Sequence, residues 1–407
     1  MPVRVIVADW VLPGDTAPLS DGAVVTAEDG TVEHVGRAHD VVGDARFASM
    51  QTERVRGLVM PGLVNAHTHI ELSALRGRVP AGGGFLPWVE RLIGARLELH
   101  EDEEASAIET AVADLRASGT AAVGEVTNSL GAVHALARAN IAGCVFHEVF
   151  GQDLGRLRDR VRGLEAELRD RVGDWPSPDL AYAPAPHTLY TLHLEVVRMI
   201  LEESRMRHRR TSLHILEHPA ERRAIERGEG PIIEWLAMRS RVDSSALEWP
   251  KRPMLDVARD ALALSPDVIL VHLTEARPDE LAVVAAARSP VVLCPRSNLN
   301  IEGKLPPLLA MREAGILAGL GTDSLASNTS LDVLAEAKAL RDRFPSVPAE
   351  ELVRMATDGG ARALGLPRHG RIAKGMRPGL VAVEGDVHGD PCAWLLANLG
   401  ARRRFVA

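Results

Sequence analysis

The sequence predicts an α/β protein: a (β/α)8 TIM-type barrel with a small β-sandwich domain that both ends of the chain build together. Runs typical of β-strands alternate with amphipathic helical stretches from about residue 58 to residue 362, which is the pattern of parallel βα units. Each run ends in polar or ionisable residues. The carboxyl ends of the strands are where a barrel of this class assembles its chemistry, so the fold also predicts where the site lies.

Eight strands are predicted for the barrel, which we expect to span residues 58–367, and all are rich in β-branched residues or alanine. They are Leu58 to Ala66, Ala121 to Thr127, Gly143 to Phe150, Leu180 to Ala185, Ser212 to Leu216, Val268 to Leu273, Val291 to Cys294 and Leu317 to Gly321. Between them, Leu154 to Arg171 and Leu331 to Arg343 show helical spacing with charged outer faces.

The two ends of the chain are predicted to pair in the β-sandwich domain, which comprises residues 1–57 and 368–407. Short β-like pieces joined by Gly and Asp turns occupy both segments. They are Arg4 to Val11, Ala23 to Ala27 and Val32 to Val35 at one end, and Gly379 to Val383 and Arg404 to Val406 at the other.

Composition excludes several classes of partner. The chain has 407 residues, 46% of them hydrophobic, and its net charge of -8 comes from mixed rather than clustered charges, so no nucleic-acid partner is expected. No apolar run approaches the ~18 residues of a spanning helix, and no signal peptide is visible, so we expect a cytoplasmic protein without a membrane partner. Cys144, Cys294 and Cys392 are few and far apart, which argues against disulfides and favours packed thiols. A homo-oligomer is left open.

Two histidines one residue apart follow the first apolar run, in Pro-Gly-Leu-Val-Asn-Ala-His-Thr-His-Ile-Glu. Because side chains at i and i+2 of a strand point to the same face, His67 and His69 can face one metal ion. His214, His272 and Asp323 each follow a later apolar run. A lone His-x-His occurs by chance, but this ordered set indicates a metal site.

Six segments resemble the amidohydrolase superfamily, and more narrowly its nucleoside and nucleobase deaminase and chlorohydrolase branch. They are Met60 to Ser73, Pro186-His187-Thr188-Leu189-Tyr190-Thr191, His214-Ile215-Leu216-Glu217, His272, Cys294-Pro295-Arg296-Ser297-Asn298 and Leu320-Gly321-Thr322-Asp323-Ser324. The similarity runs over nearly the whole chain. One departure is Pro378-Gly379, where such proteins usually carry an Ala-Asp pair; it falls in the predicted β-domain, away from catalysis.

The resemblance implies one divalent ion bound by His67, His69, His214 and Asp323. Three neutral imidazoles and a carboxylate suit Zn²⁺, the favoured ion, or Fe²⁺, and leave a position for water. Two-metal members of the superfamily carry a carbamylated lysine on the fourth strand, and Tyr182 to His187 contains no lysine. A site with a single ion is therefore predicted, which favours deamination over the opening of an amide ring.

The resemblance also implies the acid-base groups of a hydrolytic deaminase. His272 and Asp323 would accept the proton and orient the water that attacks the carbon bearing the leaving amine. Glu217 would shuttle a proton to the ring and help ammonia leave. Because Glu217 lies three residues after His214, it can enter the site only if the chain turns past the strand end, and His218-Pro219 predicts such a turn.

Five further residues are candidates for contact with substrate. The resemblance implies such a contact for His187, for which the alternative is a buried imidazole bonded to backbone. Glu71 follows the histidine pair by two and either reaches substrate or forms a cap or salt bridge. Trp88 is either a packing residue or an aromatic pocket wall, and Arg76 and Arg296 are candidate cations for a substrate carboxylate.

The predicted partner is a small nucleoside. The segments His67 to Ser73 and Phe85 to Val89 are most similar to those of deaminases that act on 6-aminodeoxyfutalosine, an adenine nucleoside on the futalosine route to menaquinone. Competing substrates are S-adenosylhomocysteine, methylthioadenosine and adenosine, and outside the nucleosides guanine or a triazine, as in chlorohydrolase-like enzymes. A catalytically inactive scaffold that binds partners is a different class of alternative.

Overall fold

The structure is a computed structural model, and it describes residues 4–240 and 249–407. Residues 1–3 of the predicted β-domain and residues 241–248 of the predicted barrel domain lie outside the described part of the chain. Within that part, no helix combines the length and the apolar character that crossing a membrane requires. Cys144, Cys294 and Cys392 are free and buried, which confirms the prediction of packed thiols.

Three sheets are formed by the strands of the described residues. The strands are β1 Arg4–Val11, β2 Leu19–Thr26, β3 Val32–Arg37, β4 Gln51–Pro61, β5 Leu63–Thr68, β6 Thr120–Thr127, β7 Ala142–Val149, β8 Leu180–Pro186, β9 Thr211–Ile215, β10 Val268–His272, β11 Val291–Leu293, β12 Gly319–Leu320, β13 Leu380–Glu384 and β14 Arg403–Phe405.

Strands from both ends of the chain join in one six-stranded sheet of order β14-β13-β4-β1-β2-β3. Strand β4 lies at its centre, parallel to β1 and antiparallel to β13. On one face the core contains Val5 and Val25, packed against Val41 of helix α1 (Ala38–Gly43) and against Phe47. A helix and its flanking loop thus cover this face, and no second sheet of a sandwich is seen among the described residues. The sandwich is not confirmed.

The other eight strands form two parallel four-stranded sheets, β5-β6-β7-β8 and β9-β10-β11-β12. Single backbone contacts link their edges. The His214 N–H donates to His187 O at 3.0 Å, and the Asp323 N–H donates to His67 O at 3.1 Å beside a bridge to Thr68. The arrangement is of TIM-barrel type, although no continuous ladder closes it within the described residues.

Helices connect and surround the strands. After α1 they are α2 Phe85–Leu97, α3 Glu101–Ala117, α4 Val133–Arg138, α5 Leu154–Val172, α6 Leu194–Met206, α7 Pro219–Arg227, α8 Pro231–Ser240, α9 Met254–Asp260, α10 Pro278–Ala287, α11 Pro295–Glu302, α12 Leu308–Glu313, α13 Val333–Arg343, α14 Ala349–Arg354, α15 Gly360–Leu364 and α16 Pro391–Ala397, with a 3₁₀ helix at Ile70–Leu75 and a π-helical turn at Met355–Gly359. Helix α13 begins two residues later than predicted because the Asp332 side chain caps it, accepting a hydrogen bond from the Leu334 N–H at 3.0 Å.

The predicted first barrel strand, Leu58 to Ala66, is divided at Gly62. Its first part belongs to β4 of the six-stranded sheet and its second to β5 of the barrel. The backbone of Gly62 is packed so tightly that a Cβ there would lie 2.4 Å from the Cβ of Ala121 and 2.8 Å from Gly379 O. The chain therefore crosses between the sheets at a residue without a side chain, and the domain boundaries stay predictions.

Candidate active site

The five residues expected to carry the chemistry lie at the carboxyl ends of barrel strands. His67 is in β5 with His69 just beyond it, His214 is in β9, His272 ends β10 and Asp323 follows β12. His67 is 1% exposed and Asp323 8%. All of them except His67 line one cavity, beneath which the His67 ring contacts the rings of His69, His214 and His272. The structure thus brings the whole predicted set together.

Nitrogen and oxygen atoms of these side chains converge. The Nε2 atoms of His67 and His214 lie 3.3 Å apart, and Asp323 Oδ1 lies 3.5 Å from His69 Nε2 and 4.0 Å from His67 Nε2. Two overlapping groups each keep their atoms within 4.8 Å of one another, one of His67, His69 and Asp323 and the other of His67, His214 and His272. His67 is common to both groups, so it lies at the centre of the cluster.

The buried imidazoles are neutral. Burial holds the pKa of His67 well below its usual range and lowers the pKa of His214 to about 3. The Nδ1 atom of His214 lies 3.0 Å from His187 O, so the ring hydrogen goes to that carbonyl and the Nε2 lone pair faces His67. Neutral imidazole nitrogens beside a carboxylate are the donors that a divalent metal ion takes, and the donor set fits such an ion.

Two hydroxyl groups orient Asp323. Ser297 Oγ donates to Asp323 Oδ2 at 2.6 Å, and Ser327 Oγ donates to the same oxygen at 3.2 Å. Burial by itself raises the pKa of Asp323, but His69, His272 and the Ser297 hydrogen bond together hold that pKa below its usual value. The carboxylate is therefore ionised, with Oδ1 left to face the histidines.

Glu217 enters the site because the chain turns at the end of β9. Leu216 has a φ of 54°, and α7 begins at Pro219, so the turn expected from His218-Pro219 is observed. The turn places Glu217 Oε1 3.6 Å from His272 Nε2. Burial, followed by the charge of Asp323, raises the pKa of Glu217 well above its usual range. The group therefore holds a proton that it can donate.

His272 and Asp323 both have strained backbones. Their φ values are 76° and 56°, in the left-handed region that residues other than glycine rarely occupy. Strain of this kind persists where surrounding structure enforces it, and it clusters at active sites. Burial lowers the pKa of His272 to about 4, and its Nδ1 lies 3.3 Å from Asn298 Nδ2. Because an amide nitrogen can only donate, His272 Nδ1 accepts this hydrogen bond, and the neutral ring carries its hydrogen on Nε2, towards Glu217.

The predicted substrate contacts divide into two groups. Glu71, Trp88 and His187 line the cavity. Arg76 pairs with Asp114 at 2.9 Å, on the exposed surface, and Arg296 donates to Ser330 at 3.1 Å and to Thr329. Neither arginine is among the residues that line the cavity in the described part of the chain. A contact between either arginine and substrate therefore remains a prediction that the geometry does not support.

Arg96 is a cavity residue that the sequence analysis missed. It lines the wall and pairs with Glu71 at 3.1 Å. A signal was present in the sequence, because the apolar residues of α2 recur at helical spacing and position 96 continues the same face. These residues are Phe85, Trp88, Val89, Leu92 and Ile93.

Three buried carboxylates near the site were also missed. Glu148, at the end of β7, lines the cavity, and its Oε1 lies 3.7 Å from His214 Nδ1. Glu221 accepts a hydrogen bond from the Glu217 N–H at 2.9 Å, and both oxygens of Glu125 accept one from the Ile70 N–H at 3.1 Å. The position of Glu148 at a strand end could have indicated it, whereas Glu125 and Glu221 depend on contacts that spacing does not reveal.

Comparisons with known proteins agree with this site. Residues 58–401 match the model of the Amidohydrolase family. The aminodeoxyfutalosine deaminase of Deinococcus radiodurans is 28% identical over 371 residues, covering 89% of this chain and 86% of that protein. The 5-methylthioadenosine/S-adenosylhomocysteine deaminase of Halobacterium salinarum is 30% identical over 390 residues, covering 91% of this chain and 85% of that protein. The crystal structure of Helicobacter pylori aminofutalosine deaminase with methylthio-coformycin shares the fold, with a TM-score of 0.86 at 23% identity over 98% of this chain and 97% of that one.

Proposed function

Because this chain belongs to the Amidohydrolase family and is a hydrolase that acts on carbon–nitrogen bonds, we propose that it deaminates an adenine nucleoside. The observation that carries the proposal is the position of a protonated carboxyl group, Glu217, beside His272 and next to a cluster of metal-ligand type. The sequence resemblance to the deaminase branch agrees with the two deaminases of Deinococcus radiodurans and Halobacterium salinarum that are similar to this chain. The reaction consumes one water, breaks the C–N bond to the amino group and releases ammonia.

We assign the binding of one divalent metal ion to His67, His69, His214 and Asp323. Zinc is the proposed ion, since it accepts imidazole and carboxylate ligands and keeps a position for water in catalytic sites. Such an ion lowers the pKa of a bound water so that it can attack near neutral pH. Strand β8 contains no lysine, so the bridging group of a two-metal site is absent from the position where the superfamily carries it.

The acid-base steps belong to Glu217 and Asp323, with His272 beside them. Glu217, which keeps its proton because it is buried, donates that proton to a ring nitrogen of the adenine and makes the neighbouring carbon more electrophilic. The Asp323 carboxylate faces the same space and takes the proton of the attacking water, while His272, whose Nε2 is directed towards Glu217, orients that water. Transfer of the proton taken from water to the amino group then allows the C–N bond to break and ammonia to leave.

The specific substrate that we propose is 6-aminodeoxyfutalosine, on the futalosine route to menaquinone. Support comes from the Deinococcus radiodurans relative that bears this activity as its name and from a cavity wall of large apolar side chains suited to an aromatic extension. The Halobacterium salinarum relative, of similar identity, favours a second candidate, deamination of methylthioadenosine or S-adenosylhomocysteine.

A substrate panel tests the proposal. Purified, zinc-loaded protein would be given 6-aminodeoxyfutalosine, S-adenosylhomocysteine, methylthioadenosine, adenosine and guanine, and ammonia release would be followed at several concentrations of each. We expect the highest kcat/KM for 6-aminodeoxyfutalosine. A higher value for any other compound in the panel would reject this substrate and leave the deaminase proposal intact.

A further inference from the structure

We propose that Arg96, held in place by Glu71, binds the anionic end of the substrate, so that the site selects adenine nucleosides whose 5′ extension ends in an aromatic carboxylate. The inference rests on the proposed nucleoside deamination. It assigns a specificity-determining residue that the sequence motifs did not indicate, and it replaces Arg76 and Arg296 in that role.

Arg96 is the only arginine or lysine among the described residues that line the active-site cavity. The other acidic residues of the lining are Glu71, Glu148, Glu217 and Asp323. The Arg96 side chain is 39% exposed, whereas that of Glu71 is 2% exposed. The guanidinium group therefore lies where the cavity meets solvent.

Glu71 is held by five hydrogen bonds from the protein. Its Oε2 accepts from Thr127 Oγ1 at 2.8 Å, from the Asn128 N–H at 3.0 Å, and from the N–H and Oγ of Ser129 at 2.8 and 2.7 Å. Its Oε1 accepts from Arg96 Nη2 at 3.1 Å. A carboxylate fixed in this way cannot turn towards a substrate. It acts as an anchor that sets the direction of the Arg96 side chain.

The guanidinium group keeps donors for a ligand. Arginine carries five N–H groups, and in the described part of the chain a single hydrogen bond, from Nη2 to Glu71, occupies them. Glu104 is close enough for Arg96 to lower its pKa, against the larger effect of burial, which raises it. The N–H groups that remain suffice for a bidentate pair of hydrogen bonds to a carboxylate, which is the geometry that arginine favours.

The wall that leads to Arg96 is apolar. Five side chains on the cavity face of α2 precede it at helical spacing: Phe85, Trp88, Val89, Leu92 and Ile93. An aromatic ring would lie against this wall with its carboxylate at Arg96. A 5′ extension that ends in an amino acid carries an ammonium group, which an apolar wall does not stabilise. The wall and the cation together therefore favour an aryl carboxylate.

Arg96→Gln tests the inference, assayed on 6-aminodeoxyfutalosine, on the same compound with its carboxylate esterified, and on adenosine. Loss of a charge-assisted hydrogen bond should raise KM for the free carboxylate by about 10- to 100-fold, and the ester and adenosine should change little. Arg96→Lys keeps the charge without the bidentate geometry, so its KM for the free carboxylate should lie between those of the wild type and Arg96→Gln. Arg91→Gln is the matched control, because Arg91 is on the same helix and donates to Pro80 O and Gly82 O on the exposed surface.

Equal losses on all three compounds, or no loss on the free carboxylate, would overturn the role of Arg96 while deamination by the wild-type protein stands. Absence of ammonia from every nucleoside with the zinc-loaded wild-type protein would instead reject the proposed function and this inference with it. The melting temperature of each variant shows that it is folded. If Arg96→Gln does not fold, the KM ratio between free acid and ester in Arg96→Lys decides, and an unchanged ratio overturns the inference.

Discussion

The Nε2 atoms of His67 and His214 face each other at 3.3 Å across two different sheets. Because the ring hydrogen of His214 goes to His187 O, the lone pair of His214 Nε2 points at His67 Nε2, where either a hydrogen on His67 or a cation near both nitrogens satisfies it. Nitrogens bound to one tetrahedral zinc ion at ~2.0–2.1 Å are about 3.3–3.4 Å apart. The observed spacing is the one that two zinc ligands adopt.

His67→Ala and Asp323→Ala should each lose metal and turnover together, since each removes a donor from the cluster. Metal per subunit, measured by atomic emission on the same samples used for kinetics, checks this. His388→Ala, at an exposed position of the chain, should retain both. Stoichiometric metal with full activity in either ligand variant would refute the assignment.

Glu217→Gln should keep the fold and the metal while kcat falls by ~10²–10⁴-fold, because the amide cannot donate the proton that activates the ring. The comparison is kcat beside bound metal, with Glu202→Gln, which disrupts an exposed pair with Arg198, as the control. A loss of less than about fivefold would exclude Glu217 as the proton donor.

Ser297→Ala should weaken metal binding by about 10- to 100-fold without unfolding the protein, which is the usual effect of losing a group that orients a metal ligand. The variant lacks the 2.6 Å hydrogen bond to Asp323 Oδ2 and keeps the 3.2 Å bond from Ser327. Competition with a chelator gives the metal affinity. Ser327→Ala should have the smaller effect, and the reverse order would show that the shorter bond does not orient the carboxylate.

Glu221 should make stability fall as pH rises. Burial raises the pKa of Glu221 from 4.5 to about 8, so between these values the folded protein holds a proton that the unfolded chain releases. The contribution of this proton to the free energy of unfolding is complete below pH 4.5 and is lost as the pH approaches 8. The free energy of unfolding of Glu221→Gln minus that of wild type should therefore rise from pH 5 to pH 8, by on the order of a few kcal/mol. A difference independent of pH would contradict a buried, protonated Glu221.

The sequence was sufficient to predict the residues that converge. His67 and His69 share a strand face, and His214, His272 and Asp323 end later strands, so a parallel barrel leaves them one place to meet. The entry of Glu217 could also be anticipated, because only a turn after β9 brings it in. The turn occurs at Leu216, whose φ is 54°.

Other features depend on contacts between distant parts of the chain. The division of the first strand at Gly62 reflects close packing against Ala121 and Gly379, which hydrophobic pattern does not show. The role of Arg96 depends on Glu71, 25 residues earlier in the chain. The sandwich was predicted from strand-like pieces alone, and pattern could not reveal that a helix covers one face of the six-stranded sheet.

The stoichiometry of deamination tests the central claim most directly. Zinc-loaded wild-type protein would be incubated with adenine nucleosides, with ammonia and the ring product counted in the same reaction. We predict one ammonia for each nucleoside in which oxygen replaces the ring amino group, and a rate that collapses in Glu217→Gln at unchanged metal content. Release of no ammonia from any adenine nucleoside by the metal-loaded protein would contradict the account.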